Sequence, residues 1–145
     1  MSAGRVARHK TLAKPEYEKL SAFRYALRRF LRFSEEAAAS LGLTPSQHQA
    51  LLAIKGFPGR DHITNGELAE RLQIKHHSAV GLANGLEAQG LIVRGEGERD
   101  RRKVHLSLTR RGAELLERLT AIHREELRHV APQLSVILES LGEEK

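Results

Sequence analysis

The sequence predicts a mainly α-helical chain with one small β-hairpin, an α+β arrangement in which the hairpin projects as a wing. A pair of short helical patterns with a tight joint precedes residue 91. A strand, a charged tip and a second strand fill Leu91 to Leu108, and long apolar stripes of helical period run on both sides. Within the hairpin, Val104, Leu106 and Leu108 alternate with Lys103, His105 and Ser107, the period of a strand with one buried face. Helix, turn, helix and cationic hairpin, in that order, is the layout of a winged helix-turn-helix. That layout sets one helix in the major groove of DNA and an arginine-bearing loop beside it.

Each element has a local cause. Residues 1–14 carry Arg5, Arg8, Lys10 and Lys14 with no acid and read as a flexible basic arm. Pro15 suits a first helical turn, and Leu20, Phe23, Leu27, Phe30, Leu31, Ala37 and Leu41 recur at three- and four-residue steps. They predict a long amphipathic helix over 15–42, closed near Gly42. Thr44, Pro45 and Gln47 form a capping-box pattern that opens a helix with Leu51, Leu52 and Ile54. Gly56, Pro58 and Gly59 end it. Thr64 and Glu67 repeat the box and open a short helix with Leu68, Ala69 and Leu72 inward. Gln73, Ile74 and Lys75 make the turn, with Ile74 expected to be buried. The next helix runs from His76 to Gln89, with Gly90 as its C-cap. Thr109 caps a last long helix striped by Leu115, Leu116, Leu119, Ile122 and Leu127. Pro132 is expected to interrupt it before a short final helix with Leu134, Ile137, Leu138 and Leu141.

The 145 residues suggest a single domain over 15–145 with enough apolar content, 40%, for a core. Residues 44–110 suffice for a winged helix, so the stripes of 15–42 and 113–145 need another surface. A second copy of the chain is the expected cover.

The net charge of +6 favours a polyanionic partner, and its distribution is more telling. Residues 94–111 hold seven Arg or Lys against Glu96, Glu98 and Asp100. All six aromatic residues precede residue 58, leaving the basic half without rings on which unpaired bases stack. Duplex DNA fits better than RNA or single strands. Cysteine is absent, which excludes disulfides and thiolate metal sites. No apolar run reaches membrane-spanning length, and no secretory apolar core is visible, so a cytoplasmic location is expected. The eight histidines include no pair at four-residue spacing, so no metal site and no cofactor are expected. Nucleophile–base pairs and phosphate-binding glycine loops are not visible either, so the chain is not read as an enzyme.

Five segments in register then identify a family. They are Leu43-Thr44-Pro45-Ser46-Gln47, Glu67-Leu68-Ala69-Glu70-Arg71-Leu72, Leu86-Glu87-Ala88-Gln89-Gly90-Leu91-Ile92, Asp100-Arg101-Arg102 and Leu106-Ser107-Leu108-Thr109-Arg110-Arg111-Gly112. With them the chain resembles the multiple-antibiotic-resistance regulator (MarR) family of bacterial transcription factors from Pro15 onward. The resemblance implies a symmetric homodimer joined by its terminal helices, a palindromic operator, and repression relieved by a small molecule. The chain departs from the family at Asn84-Gly85, where an Asp-Arg pair is common. Asn84 lacks the charge that would pair with a hairpin arginine. Gly85 costs about 1 kcal/mol in a helix interior and removes a cation near the phosphates.

The candidate DNA contacts begin with Lys75, His76, His77, Ser78, Gly81, Leu82 and Asn84 on the recognition helix, whose inward face is Ala79, Ala83 and Leu86. Arg99, Arg101, Arg102 and Lys103 at the hairpin tip are placed to reach a minor groove, with Asp100 orienting a neighbouring arginine. For a small aromatic or phenolic effector, the resemblance points between the dimerisation helices and the DNA-binding module. Tyr17, Phe23, Arg24, Tyr25, Arg28 and Phe30 are the candidates there, with arginine meeting a carboxylate. The alternative function is a winged-helix protein-interaction module without specific DNA binding.

Overall fold

In the computed structural model, residues 11–96 and 104–143 are described. Their elements follow in the order α1 (Lys14–Ser40), α2 (Pro45–Lys55), β1 (His62–Ile63), α3 (Asn65–Leu72), α4 (His76–Ala88), β2 (Ile92–Glu96), β3 (Val104–Leu108) and α5 (Arg110–Leu141). The chain divides into a unit from Ser34 to Arg124 and a second unit made of the stretches that flank it.

The central unit is built on the capping chemistry legible in the sequence. The hydroxyl oxygens of Thr44 and Thr64 accept from the amides of Gln47 and Glu67, and those side chains accept in return from the threonine amides. Gly42 and Gly90, both at positive φ, close α1 and α4 with the same paired bonds. After α4, the Gly90 amide donates to the Glu87 carbonyl and the Leu91 amide to that of Leu86. Gln73 ends α3 in the left-handed region at φ 54, where a side chain is strained. Its amide group compensates by donating to the Glu70 carbonyl at 2.8 Å.

Three antiparallel strands stand in the order β1-β3-β2. The edge strand β1 was not foreseen, because two residues are too few to show a period. It pairs His62 with Ser107 and Ile63 with Leu106, placing Ile63 in the core. Leu51, Ile54, Leu68, Ala79, Ala83, Leu86, Leu91, Ile92, Leu106, Leu116 and Leu119 complete that core across the three helices, the sheet and the start of α5. Two expectations of burial fail at its margins. Val104 is 39% exposed, because it lies opposite Glu96 at the outer end of the sheet. Ile74 is 37% exposed: the left-handed turn at Gln73 uses its amide to cap Ala69 while its side chain stays outside.

A buried polar cluster ties Ser34 of α1, His48 of α2 and His123 of α5. His123 Nδ1 lies 2.6 Å from the Leu119 carbonyl, to which it donates, and Nε2 is hydrogen-bonded with the Ser34 hydroxyl at 2.8 Å. The His48 ring sits 4.9 Å from that of His123. Burial first, and then the adjacent His123, lower the pKa of His48 from the ordinary 6.5. The unfolded chain therefore binds a proton at His48 more readily than the folded chain does. That makes stability full above the ordinary histidine range and declining as pH falls through it. Urea midpoints measured at about pH 7.5 and about pH 5.5 should differ in that direction, and His48→Gln should shrink the difference. Equal changes in parent and variant would remove His48 as the cause.

The flanking unit is less well covered. Phe23, Ala26, Phe30 and Phe33 of α1 and Val130, Leu134 and Ile137 of α5 form half-buried stripes at helical spacing, and Lys19 donates to the Ser140 carbonyl at 3.4 Å. None of the described residues of this unit is fully buried, and Leu20, Leu27, Leu31, Val136 and Leu138 are exposed. Pro132 does not end the helix as expected; it lies inside α5, exposed. The half-buried positions 130, 134 and 137 keep helical phase across it. That continuity offsets the local loss of one amide donor.

Candidate nucleic-acid interface

The helix α4 follows α3 across the turn at Gln73 and turns one small apolar face inward. Ala79, Ala83 and Leu86 are fully buried, as the spacing predicts. Lys75, His76, His77 and Ser78 are exposed together at its start, and Gly81 lies exposed one turn on. Lys75 stands at the N-cap position in extended conformation, and no side chain caps the helix. The first-turn amides and the positive end of the helix dipole thus lie at the same end of α4 as His76 and His77.

The other proposed contacts on α4 are arranged differently. Leu82 is half-buried and packs against the core, so only part of it is offered outward. Asn84 is exposed, but its carbonyl oxygen accepts from the guanidinium of Arg94 on β2. Arg94 Nε also lies 3.8 Å from Glu87 Oε2. The asparagine that departs from the family pattern therefore still ties helix to strand, as a neutral acceptor, with Glu87 supplying the negative charge. Arg99, Arg101, Arg102 and Lys103 lie outside the described residues.

Neither glycine of this helix makes room for a neighbour among the described residues. A Cβ at Gly81 or Gly85 would meet nothing within 4 Å. Gly85→Ala should accordingly stabilise the fold by about 0.5–1 kcal/mol. A lower denaturation midpoint in the variant would show that the open space is needed by motion of the free protein.

A groove of about 620 Å³ opens beside the start of α4, lined by Arg60, Thr64, Asn65, Gly66, Glu67, His76, Val104 and His105. The guanidinium of Arg60 pairs with the carboxylate of Glu67 and lies over the Phe57 ring at 4.3 Å, with Arg71 at 4.8 Å from the same ring. Burial alone would raise the pKa of Glu67; the Thr64 amide and the Arg60 guanidinium outweigh it and hold the carboxyl below its usual value. His105 stacks on His62, ring centroids 4.3 Å apart and planes 17° from parallel. Asn65 Oδ1 is buried without a hydrogen-bond partner among the described residues. Arg60, His62 and His105 were not singled out from the sequence. His105 shows there only as a polar position in the strand alternation, and its meeting with His62 depends on the unforeseen β1.

The proposed effector residues all lie on α1, but they do not share a face. At about 100° per residue, Tyr17, Arg24 and Arg28 fall on one side of the helix and Phe23 and Phe30 on nearly the opposite side. Phe23 and Phe30 are half-buried, whereas Tyr17, Arg24, Tyr25 and Arg28 are exposed.

Residues 41–103, the span that contains α2, the helix-turn-helix and the start of the wing, match the model of the MarR family. Over these residues the chain is of the MarR family. Among its relatives, a Thauera aromatica protein named for transcriptional regulation of the hcr operon is 32% identical over 98 residues, 67% of this chain and 57% of that protein. The Bacillus subtilis transcriptional repressor MdtR is 34% identical over 77 residues, 53% of this chain and 48% of the repressor. The chain thus spans about half the length of these curated relatives. A crystal structure of an S. aureus MepR–DNA complex superposes with a TM-score of 0.65 at 25% identity, covering 77% of this chain and 81% of that one. The MarR assignment agrees with the mainly helical winged fold, and the names of these relatives describe regulators of transcription, a class without catalysis. No helix among the described residues is long and apolar enough to cross a membrane.

Proposed function

We propose that this MarR-family chain is a transcriptional regulator that binds a palindromic site in duplex DNA as a homodimer. It acts as a cytoplasmic repressor released by a small aromatic or phenolic effector. One observation carries the reading: α4 buries only its small apolar face and leaves Lys75, His76, His77 and Ser78 exposed, with His76 sharing a groove with Val104 and His105 of β3. The S. aureus relative crystallised with DNA supports the same use of the fold. Leu20, Leu27, Leu31, Val136 and Leu138, exposed on the terminal helices, support a second copy as their cover. The wing residues Arg99, Arg101, Arg102 and Lys103 would take backbone and minor-groove contacts. Tyr17, Arg24 and Arg28 would meet an effector carboxylate on one face of α1. Tyr25 and the oppositely placed Phe23 and Phe30 would reach the effector only if it lay between helices of the dimer.

The test is a mobility shift with the duplex immediately upstream of the gene, which should contain half-sites about 10 base pairs apart. Arg101→Ala or Arg102→Ala should each weaken binding and reduce the slope of log affinity against log salt by about 0.9. No preference over a scrambled duplex would sink specific recognition, and a single-subunit mass at micromolar concentration would sink the dimer.

A further inference from the structure

We propose that the groove between the start of α4 and the base of the wing seats a backbone phosphate of duplex DNA, with the stacked His62–His105 pair taking up a proton as the phosphate arrives. The proposal rests on the duplex-binding reading and adds to it a site and a proton requirement. Three observations combine. The groove has His76, the first residue of the recognition helix, on one wall and His105 of the wing strand on another. A duplex with α4 in its major groove must pass the strand bordering that groove between helix and wing, so a phosphate falls over this gap. His62 stacks on His105 at 4.3 Å, too close for both rings to carry a proton without repulsion unless an anion lies against them.

The surroundings favour a phosphate over a metal cation. Two face-stacked imidazoles cannot point their nitrogens at one ion, and no group of three metal-binding side chains occurs among the described residues. The carboxylate in the groove, Glu67, is already engaged by Arg60 and the Thr64 amide. Asp61, beside His62, lies 3.7 Å from Lys55. On the face of the sheet that carries His105, β2 offers only Val93 and Gly95, which are uncharged. Arg60 and Glu67 offset each other, so the uncompensated positive charge at the stacked pair is the charge the histidines themselves acquire, with His76 in the same groove adding to it. Protons bound on complex formation make affinity rise as pH falls, by up to tenfold per unit for each proton.

Because a phosphate contact is independent of base sequence, the probe is a fluorescent random-sequence duplex a few turns long, read by anisotropy at fixed salt. Between about pH 8 and about pH 6 the parent protein should gain about tenfold in affinity. The double variant His62→Asn with His105→Asn should keep only the part due to other histidines, about threefold or less. His105→Lys, charged at both pH values, should bind at pH 8 about as tightly as the parent does at pH 6, an outcome that loss of a merely structural contact does not produce. Circular dichroism melts confirm that each variant is folded. A parent that binds the duplex with no pH dependence, a folded double variant with the parent's full pH gain, or a lysine variant with no gain at pH 8 overturns the proposal. So does inorganic phosphate alone, if it shifts the His62 and His105 ring resonances as the duplex does, since the groove would then belong to a free anion. A parent that binds no duplex at either pH, even at low salt, instead brings down the duplex-binding reading beneath it.

Discussion

Gly112→Ala should cost the fold about 3 kcal/mol. Gly112 lies buried in the first turn of α5, against the main chain of Leu91, where α4 passes into β2. A Cβ there would overlap the Leu91 carbonyl oxygen and come within 3.0 Å of its carbonyl carbon. Backbone cannot swing aside as a flexible side chain can. The same carbonyl accepts from the Thr109 amide at 3.0 Å, and the Thr109 hydroxyl bridges the Gly90 carbonyl and the Gly112 amide at 2.7 and 3.1 Å. One methyl group would thus pry apart a junction held by three hydrogen bonds. The expected result is a large drop in urea midpoint with an unchanged slope. An alanine variant as stable as the parent would mean that strand and helix can separate here at no cost.

Leu86→Ala should be of similar size, about 3 kcal/mol, within the range for fully buried leucines. Its particular interest is what it holds. The buried face of α4 consists of two alanines and this one leucine, so Leu86 supplies most of the apolar area that fixes the recognition helix. Its carbonyl also accepts the Leu91 amide at the exit from the helix. Amide hydrogen exchange in the variant should therefore speed up in α4 more than in α2. Uniform acceleration across the central unit would show instead that α4 has no separate stability to lose.

How far such features are legible in the sequence depends on whether their cause is local. Both capping boxes and the turns at Gly42 and Gly90 were legible, since a few adjacent residues determine each. So was the inward face of α4, which a single helical period defines. Pro132 misled because the local penalty is real, but the stripe through Val130, Leu134 and Ile137 continues in phase on either side of it. Ile74 and Val104 were expected inside on their apolar character alone. Where each falls depends on the left-handed turn and on the end of the sheet, which only the folded backbone defines. The candidate site divides in the same way. Its exposed residues on α4 follow from periodicity, whereas the His62–His105 stack joins residues 43 positions apart through a strand too short to leave a pattern.

The tie from Asn84 to Arg94 bears on how the reading head behaves in solution. Helix and wing strand are clasped by a bond whose acceptor carries no formal charge, with the carboxylate of Glu87 farther off at 3.8 Å. Mobile ions screen a pair of full charges far more than they weaken such a clasp. Raising ionic strength should weaken the proposed phosphate contacts while leaving the separation of helix and wing strand intact. The steepness of a salt titration on the proposed complex then counts phosphate contacts, uncontaminated by a loosening scaffold.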